Sequence, residues 1–177
     1  MNRRFVFTGG PGGGKTTILG ALAEREYLVF AESARRIIKE RLAKGLEPRP
    51  DPILFARKIL QADIENYRQT TSYEKAVFFD RGVLDALYML DAEGALKNDE
   101  IGGYVRQFPY NPIVFLLPPW EDVYSKDSER DQSFDESVQV FEGMRSWYSK
   151  WGYETIEVPR DSLANRQSFI LNRINKQ

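Results

Sequence analysis

Phe5-Val6-Phe7-Thr8-Gly9-Gly10-Pro11-Gly12-Gly13-Gly14-Lys15-Thr16-Thr17 joins a short apolar run to a helix-forming segment through glycines and one proline. Residues 5–8 read as a buried strand, residues 15–24 as a helix, and the stretch between them satisfies the pattern GxxxxGK[ST]. Glycines in that setting allow the backbone to curl so that successive N–H groups face one point. The result is an anion nest at the positive end of the following helix. Gly9, Gly10, Pro11, Gly12, Gly13, Gly14, Lys15, Thr16 and Thr17 are therefore the candidate phosphate-binding residues. Lys15 supplies a point charge toward the outer phosphates, and the Thr16 hydroxyl is suited to Mg²⁺.

Working outward, short β-rich runs alternate with longer helical ones, which predicts an α/β fold with a mainly parallel sheet. Strands are expected at residues 27–31, 76–80, 113–117 and 155–158, and helices at 33–44, 52–71, 84–92, 133–151 and 163–174. Asp51 followed by Pro52 marks a helix start, and Ser133-Phe134-Asp135-Glu136 matches a capping box. The Gly102-Gly103 pair reads as a break between elements. Except for the second, the strands read as uninterrupted apolar runs, as expected when helices cover both faces. Three layers and one nucleotide-binding domain over residues 1–177 follow, with a lid-like segment at about 120–135.

The chain has 177 residues, with 25 Lys and Arg against 26 Asp and Glu, so no global basic field favours nucleic acid, and none is expected as a partner. It has no cysteine and no histidine. Disulfide scaffolds, thiolate metal sites, cysteine nucleophiles and histidine triads are all excluded. The remaining reactive groups are carboxylate, ammonium, guanidinium, hydroxyl and backbone amide, a set that suits phosphoryl transfer. No run approaches the length of a membrane span, and a cytoplasmic location is the expectation.

Polar groups at the carboxyl ends of strands in such a sheet lie where ligands bind. Asp80 ends the apolar run Val77-Phe78-Phe79 as a Walker-B acid does, making it a candidate Mg²⁺ ligand with Thr16. Glu32 follows the second strand and could accept the proton of an acceptor hydroxyl; as a first-turn helix acid it would instead complement the helix dipole. Arg81, Arg35 and Arg36 are candidates for binding the acceptor's anionic groups. In the charged stretch between Trp120 and Gln132, Arg130 is the candidate for neutralising the transferring phosphoryl. Lys15, Glu32, Asp80 and Arg130 thus form the candidate catalytic set. Phe141, Met144, Trp147, Tyr148 and Trp151 recur at helical spacing and are expected in the core. Pro159-Arg160-Asp161-Ser162 follows the last strand, with Asp161 or Ser162 as a helix cap.

The phosphate loop, the Glu32 region, Phe79-Asp80-Arg81-Gly82 with Asp85, and Asp127-Ser128-Glu129-Arg130-Asp131, in that order, resemble the AAA-like P-loop group that includes the kinase domain of nicotinamide ribonucleoside kinases. The resemblance covers nearly the full length. It implies a kinase-type fold with strand order 2-3-1-4-5, ATP and Mg²⁺ at Lys15, Thr16 and Asp80, and a lid carrying Arg130. Asp80-Arg81 is also similar to the Asp-Arg pair of thymidylate kinases, although Gly82 stands where those have an aromatic residue. The expected activity is transfer of the γ-phosphoryl of ATP to a small, nucleoside-like metabolite. A nucleotide-dependent switch or a slow ATPase without an acceptor is the alternative.

Overall fold

The computed structural model describes residues 2–121 and 133–175. In chain order these form β1 (Arg4–Thr8), α1 (Lys15–Ala23), β2 (Leu28–Phe30), α2 (Ser33–Ala43), α3 (Pro52–Arg68), β3 (Val77–Asp80), α4 (Val83–Ala92), α5 (Asn98–Gln107), β4 (Ile113–Leu116), α6 (Phe134–Lys150), β5 (Glu154–Glu157) and α7 (Leu163–Ile174). The five strands make one sheet in the order β2-β3-β1-β4-β5, and every pairing is parallel.

Alternation along the strands divides the core in two, because successive side chains leave opposite faces of a strand. Phe5, Phe7, Phe78 and Phe115 pack on one face with Ile18, Leu19 and Leu22 of α1 and Ile170 and Ile174 of α7. Val6, Phe79, Val114 and Leu116 pack on the other with α3 to α6. Both faces of the central strands are therefore dry, and the three expected layers are present. Phe7 and Phe78 meet edge to face at 5.6 Å, a geometry favoured by the ring quadrupoles. At about 1.5–3 kcal/mol for each fully buried large apolar side chain, this aromatic sheet centre anchors the loops above it.

Two local expectations hold in detail. Asp51 caps α3 by accepting from the Leu54 N–H at 2.9 Å, and Ser133 and Glu136 exchange the two bonds of a capping box. Two others change. Residues 98–107 form a helix that runs through Gly102 and Gly103, where the sequence suggested a break. Glu100 accepts from the Lys97 N–H to start this helix, and Ile101 and Gly102 are buried on its inner side. The strand at β5 is not a wholly apolar run: Glu154 and Glu157 are exposed, because β5 forms one edge of the sheet.

The helix after β1 covers one face and the helix after β4 covers the other. Chain leaving adjacent strands in opposite directions opens a crevice at their carboxyl ends. That crevice is where the glycine loop sits.

Candidate active site

Between β1 and α1 the loop is pressed against its surroundings. Gly9 has φ +122°, and a Cβ there would come within 2.4 Å of the Leu117 carbonyl oxygen, so only glycine fits. The Ser137 hydroxyl donates to the Pro11 carbonyl at 2.6 Å, tying the start of α6 to the loop. From the other side Arg166 of α7 donates to the Gly13 carbonyl at 2.8 Å. Gly14 is the N-cap of α1 with no side-chain cap, and the first turn carries no acid. The first amides of α1 and its positive end are left for an anion.

Lys15 is buried, and its Nζ donates to the carbonyls of Gly10 at 2.8 Å and Gly9 at 3.2 Å. Burial, aided by the nearby Arg81 charge, pushes it down to about 8 against the pull of Asp80, Glu32 and Asp85. Thr16 and Thr17 are exposed in the first turn of α1. Asp80, in register with Phe7 at the end of β3, is 5% exposed, and its Oδ1 has no hydrogen-bond partner. Burial pushes Asp80 up to about 6, with Lys15 opposing. An orphaned carboxylate oxygen beside a phosphate loop fits a hydrated cation. Among the described residues no group of three acidic side chains could hold a metal alone, so Mg²⁺ would share its coordination with Thr16 and the phosphates.

Beside the phosphate loop stands a second cluster, drawn from the ends of β2 and β3 and the helices that follow them. Arg81 holds a left-handed backbone, φ +67°, which costs about 1–2 kcal/mol for a residue with a Cβ. Its N–H donates to the Phe7 carbonyl at 2.9 Å, and its guanidinium reaches Glu32 at 2.9 Å and Asp85 at 3.3 Å. Those contacts hold the strained turn in place. Burial works against the Arg81 charge, but Glu32, Asp85 and Asp80 together hold its pKa above the ordinary value. For Glu32, burial raises the pKa, yet Arg81 and Lys15 outweigh it and the group stays below the ordinary range.

Asp85 is 4% exposed and completely partnered. It accepts from the Gly82 N–H at 3.0 Å, the Tyr148 hydroxyl at 2.7 Å and the Thr8 hydroxyl, as well as from Arg81. Asp63 of α3 is equally buried but half-partnered: its Oδ1 accepts from the Ser33 hydroxyl at 2.5 Å, while Oδ2 has no partner. Burial pushes Asp63 up to about 7, with Asp85 and Glu32 adding to the rise and Ser33 and Arg81 opposing it. The Asn66 side chain also donates to the Ser33 hydroxyl, at 3.3 Å.

Of the residues singled out in the sequence, Lys15, Asp80, Glu32 and Arg81 converge, since each is among the charges felt by another of the set. Arg35 is half-buried and close enough to Glu32 to help hold it ionised. Arg36 is placed differently: it is exposed, pairs with Glu40 at 3.4 Å, and lines a groove of about 440 Å³ between α2 and α3. Arg130 and residues 122–132 of the expected lid at about 120–135 lie outside the described residues. Of the helical stripe in α6, Phe141, Met144, Trp147 and Tyr148 are buried, and Trp151 packs against them. Tyr148 is more than core, because its hydroxyl reaches Asp85. Ser162 caps α7 by accepting from the Asn165 N–H at 3.3 Å.

Asp63, Ser33 and Arg166 were not singled out from the sequence. Asp63 did leave a trace there: it lies on the apolar stripe of Phe55, Ile59 and Leu60, where a carboxylate has no ordinary place. Arg166 left none.

A family model for an AAA domain matches residues 4–166. The chain belongs to that family. No curated protein matches it by sequence. Among solved structures, a deoxyadenosine kinase from M. mycoides with dCMP and dCDP superposes with a TM-score of 0.65 at 18% identity, over 98% of this chain and 100% of that one. Thymidylate kinase from Candida albicans gives a TM-score of 0.62 at 13% identity, over 99% and 92%. Thymidylate kinase from Ehrlichia chaffeensis gives 0.60 at 16% identity, over 98% of each chain. This AAA-domain protein therefore has the P-loop kinase fold, with the strand order 2-3-1-4-5 that the resemblance implied. Among its described residues no helix is long and apolar enough to cross a membrane.

Proposed function

We propose that this AAA-domain protein is a phosphotransferase that moves the γ-phosphoryl of ATP to a hydroxyl of a small, nucleoside-like acceptor. The observation that carries the reading is the adjacency of two charged clusters: Asp80 lies in register with Phe7 just before the phosphate loop, and Arg81, bonded to the Phe7 carbonyl at 2.9 Å, holds Glu32 at 2.9 Å and Asp85 at 3.3 Å beside it. A nucleotide-binding domain that only switched would have no need of a second, acceptor-like cluster at the mouth of its phosphate loop.

In this reading residues 9–17 hold the phosphates through backbone amides, and Lys15 leaves its two carbonyl partners to meet the outer phosphates. Mg²⁺, held by Thr16 and Asp80 with the phosphates, would neutralise charge that builds during transfer. Arg81 contacts an anionic or polar group of the acceptor while anchored by Asp85. Glu32 orients the acceptor hydroxyl by accepting its hydrogen bond. Because Arg81 keeps Glu32 ionised, it is a weak base, and its contribution is mainly alignment of the attacking oxygen. Arg130 takes the charge-neutralising role from the lid. Arg35 supports Glu32, and Arg36 drops out of the acceptor set because it faces the α2–α3 groove.

Measuring ADP release with Mg-ATP alone, then with a panel of nucleosides, sugars and vitamins, tests the proposal. Slow hydrolysis that rises on addition of one acceptor class, with phosphorylated product detected by mass spectrometry, is the expected result. ATP consumption that no acceptor changes would turn the reading into that of a slow ATPase or switch.

A further inference from the structure

Arg166 ties α7 to the phosphate loop, but one bond to a carbonyl does not account for a buried guanidinium. The side chain is 6% exposed; its Nη2 donates to the Gly13 carbonyl at 2.8 Å, while its Nε has no partner. No acid among the described residues compensates the charge. Burial alone acts on its pKa and lowers it, with neither a carboxylate nor Lys15 contributing. Arg81 provides the contrast, since Glu32 and Asp85 both meet its guanidinium. A buried cation without a counter-charge is costly in a folded protein.

Where that cation stands adds to the cost. A Cβ on Gly14 would come within 2.8 Å of its Nη1, so the guanidinium lies against the N-cap of α1. That end of the helix is itself positive, and neither a capping side chain nor a first-turn acid offsets it. A neutral donor could serve the Gly13 carbonyl without this repulsion. What the arrangement lacks is an anion, and residues 9–17 are built to hold one.

We infer that Arg166 is a positioning residue whose charge, set behind the phosphate loop and not touching the ligand, strengthens binding of a nucleoside di- or triphosphate. The bound phosphates are its counter-charge. Gly13 and Gly14 lie between, and attraction across water-poor backbone is screened far less than across solvent. Lys15 and Arg166 then serve the same anion from separate places, since neither charge is among those the other feels. The inference rests on the reading of residues 9–17 as a phosphate site and is independent of what accepts the phosphoryl.

Calorimetry at pH 7 with ADP and with a non-hydrolysable ATP analogue, on the wild type and on Arg166→Lys, Arg166→Gln and Arg166→Met, tests this beside urea unfolding of each protein without nucleotide. Lysine keeps the charge and should bind both ligands within about threefold of the wild type. Glutamine keeps a donor for Gly13 but no charge, methionine keeps neither, and both should bind about tenfold more weakly. Without nucleotide at least one neutral variant should unfold at no lower a urea concentration than the wild type, because it loses an uncompensated buried charge; a purely structural clamp would lower both midpoints. Methionine supplies the neutral comparison where the glutamine variant does not fold. A lysine variant as weak as the neutral ones, a neutral variant that binds like the wild type, or two neutral variants that are both less stable than the wild type overturns the inference. Wild type that binds neither ligand removes the phosphate-loop reading along with it. Tight wild-type binding that neutral substitution leaves unchanged removes the role of Arg166 alone.

Discussion

The two halves of the crevice are built on opposite plans. The phosphate-loop half is backbone: a contiguous glycine loop, clamped by the Leu117 carbonyl, Ser137 and Arg166, presents amides and one lysine. The half proposed for the acceptor is side chain: Glu32, Ser33, Asp63, Arg81 and Asp85 come from the start of α2, α3, the turn after β3 and α4. Phosphate is common to all nucleotides, so amides pointing at it need no variation. An acceptor is recognised by its particular donors and acceptors, which only side chains can match.

Substitutions in the phosphate-loop half should act whatever the acceptor, and those in the half proposed for the acceptor should act through it. Lys15→Ala is expected to have the largest effect, lowering ATP turnover about a thousandfold with and without acceptor, as measured by ADP release. Asp80→Asn should lower turnover about a hundredfold in the same assay. It should also stabilise the ligand-free protein at pH 7. Asp80 is raised from 3.8 to about 6, so its favourable, protonated form is fully present below pH 4 and is lost as pH rises through 6. Removing the charge should return on the order of 2 kcal/mol, read as a higher midpoint in urea.

Arg81→Lys sharpens the division. An ammonium cannot reproduce the fork that meets Glu32 and Asp85, so kcat/KM for the acceptor should fall by about ten- to a hundredfold. Nucleotide affinity should change little. If this variant weakened nucleotide binding as much as Lys15→Ala does, the two halves would be one site.

Above pH 7, where Asp80 at about 6 is already ionised, nucleotide affinity should depend on pH chiefly through Lys15. With Lys15 lowered to about 8 in the free protein, affinity should change little from pH 7 to 8 and fall by up to about tenfold per unit above it, because phosphates bind the ammonium form. Calorimetry with an ATP analogue at pH 7, 8 and 9 measures this. The smallest expected effect is that of Tyr148→Phe. It removes one of the donors to Asp85 and should cost about 1 kcal/mol of stability, seen in urea unfolding, while the acceptor KM changes more than that of ATP.

The legibility of the site in the sequence follows the same division. The loop at residues 9–17 and Asp80 could be read because strand, turn and helix are adjacent in the chain and each is encoded by local preferences. The Arg81–Glu32 pair could not, because its members are 49 residues apart and meet only when β2 and β3 lie side by side. Arg35 and Arg36 were indistinguishable as letters. The helix phase then turned one toward Glu32 and the other toward Glu40 and solvent. Gly102 and Gly103 depart from the local reading for a related reason: glycine weakens a helix locally, whereas α5 buries Ile101, with Tyr104 and Val105 packed on the core, which no local preference contains.

By itself, the sequence determined that this protein has a phosphate-binding loop at the end of a buried strand in an α/β sheet, and that neither thiol nor imidazole takes part in its chemistry. Those facts depend on contiguous residues or on composition. Only the tertiary structure decided which carboxylates are satisfied, as Asp85 is, and which keep an unpartnered oxygen, as Asp63 and Asp80 do. Asp85 and Asp63 are the same residue type, both buried on helices, and their difference lies in the groups that the sheet and the packing of α3, α4 and α6 bring to their oxygens.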